Sequence, residues 1–145
     1  MSEAELFLPD VNVLVALLHP GHACHQAAQQ WFAMVERFAT TSMTEAGLLR
    51  VALNPVVMGM ETSASSALAA LRSVRADPRA EFLADDSSLA NASSERMVGL
   101  AGHKQVTDLH LVNLAATHNA QLVTFDRRIR PSLDPSDQRR VVVLG

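Results

Sequence analysis

Short apolar runs alternate along this chain with longer segments whose apolar residues recur at helical spacing, and several of the runs hand over to a helix at a carboxylate. This alternation constrains the fold more than any other feature, because strands separated by helices predict parallel pairing. Leu6 to Pro9 reads as a strand closed by Asp10, and Val11 to Leu18 then runs apolar. Pro20-Gly21 makes a turn. Ala23 to Phe38 reads as a helix, with Ala27, Ala28, Trp31, Phe32, Val35 and Phe38 at helical spacing. Ala39-Thr40-Thr41 is β-prone, Met43 to Leu53 is a helix stopped by Asn54-Pro55, and Ser63 to Arg75 is a further helix. After a turn at Asp77-Pro78, Ala80 to Ala84 reads as a strand, Asp85 to Ser94 as a polar surface loop, and Arg96 to Ala101 as a short helix ended by Gly102. Thr107 to His118 reads as a helix, with Gln121 to Phe125 and Arg140 to Leu144 as the last strands. The expectation is one α/β domain over residues 1–145 with a mainly parallel sheet. Right-handed connections would cover both faces with helices, and ligands would bind at the carboxyl ends of the strands.

Asp10, Glu45 and Asp126 each stand where a strand gives way to a helix or turn, and Asp108 opens the helix after the loop His103 to Val106. In a parallel sheet the first three converge on one edge. Gathered carboxylates repel and raise one another's pKa, a conflict that a divalent cation removes. All-oxygen ligands with water in the shell favour Mg²⁺ or Mn²⁺. Each acid also has a purely structural use. Asp10 can N-cap the helix from Val11, Ser42-Met43-Thr44-Glu45 fits a capping box, Asp108 can sit behind a Thr107 cap, and Asp126 can cap the turn Arg127 to Arg130. Position alone leaves both uses open.

The net charge of -3 excludes a strongly basic nucleic-acid binder, yet residues 101–145 carry Lys104, Arg127, Arg128, Arg130, Arg139 and Arg140. Arginine suits bidentate phosphate contacts. Cys24 has no second cysteine to bridge with, which fits a reducing cytoplasm. No apolar run approaches the roughly 20 residues needed to span a bilayer, and the acidic start does not read as a secretory signal.

The ordered set of motifs resembles the PIN-domain ribonucleases, in particular VapC-type toxins of toxin–antitoxin pairs. Leu6 to Leu14, with Asp10 closing the strand, is similar to the opening of that family. His19-Pro20-Gly21-His22 with Ala27 and Trp31-Phe32 fits the next segment. Thr44-Glu45, Thr107-Asp108-Leu109-His110-Leu111 and Leu122-Val123-Thr124-Phe125-Asp126-Arg127 fit the remaining acidic positions. The resemblance implies a three-layer α/β/α sandwich, a Mg²⁺ or Mn²⁺ site, and endoribonuclease activity on structured cellular RNA such as tRNA or rRNA. It further implies a homodimer and a cognate antitoxin covering the active site. By family position Asp10, Glu45, Asp108 and Asp126 would surround the metal, the fourth acid of this family often reaching it only through water. Asn12 and Thr124 would lie nearby to orient groups around it. Metal-activated water attacking in line would leave a 5′-phosphate and a 3′-hydroxyl. Arg127, Arg128 and Arg130, close behind Asp126, are candidates to grip phosphates.

Other residues invite other chemistry. His19, His22, Cys24 and His25 cluster, but without the spacing of a structural zinc site. His110 could act as a general acid or base. Met58 and Met60 beside Gly59 suit an adaptable partner surface. A haloacid-dehalogenase-type phosphatase would use Asp10 as nucleophile and Lys104 as phosphate clamp, but it wants a second Asp where this chain has Asn12. An inactive PIN scaffold that only binds RNA or a partner is the non-enzymatic alternative.

Overall fold

The computed structural model describes residues 3–92 and 105–145. A five-stranded sheet runs through it in the order β3-β2-β1-β4-β5, and every neighbouring pair is parallel. The strands are β1 (Leu6–Pro9), β2 (Phe38–Thr41), β3 (Ala80–Leu83), β4 (Ala120–Thr124) and β5 (Val141–Val143). Helices α1 (Val11–Leu18), α2 (His25–Met34), α3 (Ser42–Ala52), α4 (Pro55–Met58), α5 (Ala64–Ala76), α6 (Val106–Thr117) and α7 (Pro135–Gln138) surround it. Among the described residues no helix is long and apolar enough to cross a membrane.

Successive strand residues point to opposite faces, and the packing follows that period. Leu6 and Leu8 of β1, Ala39 of β2 and Ala120 and Leu122 of β4 pack with Leu109, Leu111, Val112 and Ala115 of α6. Phe7 and Phe38 turn the other way, against Trp31 and Phe32 of α2 and Val74 of α5. Leu14, Val15, Leu48 and Leu71 tie α1, α3 and α5 together. Helices therefore cover both faces, as an all-parallel sheet requires, and the expected sandwich is present.

Several boundaries differ from the sequence reading. The helix expected over Ala23 to Phe38 spans only His25–Met34, and Phe38 opens β2. Phe38 fits the helical spacing from Trp31, but it meets Phe32 from the strand side, with ring centroids 5.1 Å apart; a short apolar run satisfies either period. Asn54-Pro55 ends α3 and also starts α4, since the Asn54 side chain accepts from the N–H groups of Val56 and Val57. Gln105, not Thr107, precedes α6, and Thr107 lies inside that helix. The short α7, capped by Asp134, went unread although Asp134-Pro135 is a standard start signal. The helix expected at Arg96 to Ala101, and the end of the loop expected from Asp85 to Ser94, lie outside the described residues.

One close approach fixes the site's scaffold. A Cβ built on Gly47 of α3 would lie 2.5 Å from Cγ2 of Val11, the first residue of α1. Valine is stiff at χ1, so it yields only if α1 moves. Gly47→Ala gains about 1 kcal/mol of helix propensity but meets an overpacking penalty of about 1–3 kcal/mol. The expected result is a lowered melting temperature and a shifted Asp10, the residue before Val11. A variant that melts higher than wild type would show that the two helices separate freely.

Candidate active site

The carboxyl ends of β2, β1 and β4, three adjacent strands, each deliver an acid or its support. Asp10 follows β1, and its backbone N–H continues the ladder by donating to the Val123 carbonyl at 2.9 Å. Its side chain is buried. Oδ1 accepts from the Val13 N–H at 3.0 Å, capping α1, and Oδ2 accepts from the Thr124 hydroxyl at 2.6 Å. The cap and a place at the sheet edge are thus not alternatives; one carboxylate has both. Burial pushes Asp10 above the ordinary aspartate range, the Thr124 and Val13 hydrogen bonds oppose this, and the charge of Asp126 adds to it.

Thr124, fully buried, is the junction of the site. Besides donating to Asp10, its Oγ1 accepts from the Asp126 N–H at 3.0 Å. Asp126 in turn takes the backbone N–H and the guanidinium of Arg128 at 2.9 and 3.0 Å. Those bonds to Arg128 hold Asp126 below the usual range. Asp108, in the first turn of α6, comes to the same place from the opposite face of the sheet. Its pKa is pushed up to about 6, first by burial, then by the charges of Asp10 and Asp126, with Arg128 acting the other way. Three acids far apart in sequence therefore share one field.

Glu45 reaches this edge by a different route. The capping box of α3 is formed by Thr41 and Thr44, one position earlier than the Ser42–Glu45 pairing that the sequence suggested. Thr41 has the extended backbone a cap needs and Ser42 is already helical. Glu45 is thereby released from capping. Its Oε2 accepts from the Thr40 hydroxyl at 2.6 Å and lies 3.6 Å from Nε of Arg75. Thr40 and Arg75 thus hold Glu45 at the carboxyl end of β2.

The remaining candidates are placed as follows. Asn12 is exposed in the first turn of α1 and offers its backbone N–H toward Asp10. Of the three arginines, Arg128 faces the acids, Arg127 donates to the Gly145 carbonyl at 3.3 Å, and Arg130 turns back to the Val141 carbonyl. His110 pairs with Asp85 at 2.8 Å, in the loop after β3. His25 bonds the Ala16 carbonyl, and His22 accepts from the Cys24 N–H. Thr40 and Arg75, which hold Glu45, escaped the sequence reading. The only signal for Thr40 was a polar β-branched residue in a strand of small side chains. A cavity of about 780 Å³ opens at the opposite edge of the sheet, walled by Leu6, Arg37, Ala120, Arg139 and Arg140, away from the acids.

The donor set is all oxygen and anionic. Among the described residues, no group of three or more carboxylate, imidazole or thiol side chains is placed to hold an ion by itself. Mg²⁺ is usually held by one or two carboxylates with waters and substrate phosphate completing the shell, and the oxygen donors here fit that ion better than zinc, which wants a closed set of nitrogen and sulfur ligands. Burial and neighbouring charge, which together raise Asp108, are what a divalent ion would offset.

The chain is similar to known proteins over most of its length. Residues 7–131 match the PIN domain. Ribonuclease VapC39 of Mycobacterium tuberculosis is 40% identical over 127 residues, spanning 86% of this chain and 91% of that protein. Ribonuclease VapC38 of the same organism is 40% identical over 121 residues, spanning 82% and 84%. Among solved structures, VapBC2 from Rickettsia felis, bound to a DNA fragment from its promoter, superposes with a TM-score of 0.57 at 14% identity, covering 97% of this chain and 99% of that one. VapC20 of Mycobacterium tuberculosis, a toxin that cleaves the sarcin–ricin loop, gives 0.57 at 13% identity, covering 87% and 94%. The two superpositions show the fold.

Proposed function

This chain belongs to the PIN-domain family, among the VapC ribonucleases, and from that premise we propose that it is a Mg²⁺- or Mn²⁺-dependent endoribonuclease acting as the toxin of a toxin–antitoxin pair. The observation that carries the reading is the joining of buried Asp10 and Asp126 through the Thr124 hydroxyl at the carboxyl edge of the sheet, where burial first, and then the charges of Asp10 and Asp126, push Asp108 up to about 6. Asp10 and Asp108 are the residues to hold the ion, with Asp126 reaching it through water and Glu45, held by Thr40 and Arg75, completing the acidic edge. When bound, the ion supplies an acidified water and neutralises charge on the phosphate. Thr124 fixes the rotamer of Asp10 and, through the Asp126 N–H, the spacing between the two acids. Arg128 keeps Asp126 ionised and stands ready for a phosphate. In-line attack by water leaves a 5′-phosphate and a 3′-hydroxyl, so the ribose 2′-hydroxyl takes no part.

The substrate is a structured cellular RNA, tRNA or rRNA, and the partner is a cognate antitoxin laid over the acidic edge. A strip of exposed apolar side chains, Leu53, Val56, Val57 and Met60, supports protein contacts around α4, either with that antitoxin or with a second copy in a homodimer. Met58, paired with Met60 in the sequence, instead packs inward against the α1–α3–α5 cluster. The family assignment displaces the phosphatase alternative.

Purified protein incubated with total RNA is expected to cleave with Mg²⁺ or Mn²⁺, to stop in EDTA, and to recover when Mn²⁺ is restored. Sequenced fragments are expected to carry 5′-phosphates. Cleavage that persists in EDTA, or ends bearing cyclic phosphate, would overturn the metal–water reading. Binding of RNA with no cleavage in either metal would favour the inactive scaffold.

A further inference from the structure

Beside the acids lies an aromatic surface that the fold itself does not need. Phe82 is 44% exposed, the one aromatic side chain that open among the described residues, and it belongs to none of the core clusters. It stands on β3, the edge strand, in register with Thr40, whose hydroxyl holds Glu45. The guanidinium of Arg75 lies 4.9 Å from the centre of its ring and also reaches Glu45 at 3.6 Å. Phe82, Arg75 and Glu45 are thus joined by successive contacts along the β3–β2 side of the sheet.

We propose that Phe82 and Arg75 form a stacking platform for one unpaired RNA base flanking the scissile phosphate, a subsite that rests on the ribonuclease reading above. An exposed ring backed by an arginine presents two stacked planar surfaces, to which any base can add. Guanidinium also stacks on bases and forks to phosphate. The Arg75–Glu45 contact is long and partly exposed, so it is weakly held. Arg75 can exchange it for a phosphate oxygen while its plane stays against Phe82. The contact with Glu45 sets the stacked base on the carboxyl edge of the sheet, and stacking there requires that the nucleotide be splayed out of any helix. The enzyme would therefore select loops and bulges rather than duplex.

The test uses the Asp10→Asn protein in Mg²⁺, so that RNA is bound without being cut, and a short fluorescein-labelled single-stranded RNA read by anisotropy. Phe82→Leu in that background is expected to weaken RNA binding about tenfold while leaving binding of inorganic polyphosphate, which has no bases, unchanged. Arg75→Ala is expected to weaken both probes and to make the salt dependence shallower by about one ion. Equal RNA affinity in Phe82→Leu and its parent overturns the platform and leaves the ribonuclease reading standing. Equal losses for RNA and polyphosphate overturn it too, since stacking acts only on bases. Failure of the parent and of wild-type protein alike to bind RNA overturns both. Melting curves of each variant separate a loss of affinity from a loss of fold.

Discussion

Replacing Asp10 by asparagine is expected to abolish RNA cleavage, by about a hundredfold or more, with little loss of stability. The size follows from the role. Removing a group that merely supports a metal ligand typically costs about 10- to 100-fold, and Asp10 is proposed as the ligand itself. The retained fold follows from the contacts. Asparagine keeps an oxygen to accept the Val13 N–H at the start of α1. Where Oδ2 now accepts from Thr124, the hydroxyl must reorient toward an amide. Against that loss stands a gain, because burial disfavours the charge on Asp10 and Asp126 repels it, and the amide has no charge. The balance is expected within about 1 kcal/mol of wild type. Asp10→Ala separates the two roles, since it is equally inactive but also loses the cap, worth about 1 kcal/mol. Activity measured alongside thermal melting decides the matter. An Asp10→Asn protein that cleaves at near wild-type rate would leave Asp10 as a cap and nothing more.

The sheet was legible from the sequence because its information is local. The runs read at Leu6–Pro9 and Gln121–Phe125, the second observed one residue earlier as Ala120–Thr124, are bounded and followed or preceded by helical spacing, and a parallel sheet then follows from connectivity. The position of Asp10 was legible for the same reason, as the first residue past a strand. Three things were not. Phe38 carries no local mark of strand over helix, since its place is decided by Phe32 and Val74 across the layer. The capping box could be read at Ser42–Glu45 or one residue earlier, and the extended backbone of Thr41, a consequence of its pairing in β2, selects the second. That choice decides whether Glu45 is spent on a backbone N–H or left to Thr40. The union of Asp108 with Asp10 and Asp126 is a fact of tertiary packing, because α6 approaches from the opposite face of the sheet. No pattern within α6 reports it. Position in the chain suggested where the acids stand; only the fold shows whose charge acts on whom.

Burial of Asp108, together with the charges of Asp10 and Asp126, makes the metal-free protein's stability fall as pH rises. Asp108 titrates near 3.8 in an unconstrained chain and about 6 in the folded one. Between those values the folded state holds more proton than the unfolded state, so its advantage is full at the acid end, shrinks as pH climbs, and levels off above about 6. A gap of that width sets a ceiling of about 3 kcal/mol, and partial exposure of Asp108 screens it to about 1–2 kcal/mol. Asp10, also raised, acts in the same direction, whereas Asp126, lowered by Arg128, acts oppositely at more acid pH. In EDTA, wild type is expected to melt several degrees higher at pH 5 than at pH 7, and Asp108→Asn to flatten that difference. Added Mn²⁺ reverses the order, because a cation competes with the proton and stabilises the ionised acids. The gain in melting temperature is therefore expected to be larger at pH 7 than at pH 5 in wild type, and to shrink in Asp108→Asn. Parallel pH profiles for the two proteins in EDTA would mean that Asp108 is not the group under strain. A Mn²⁺ gain undiminished in the variant would mean that the ion is held without it.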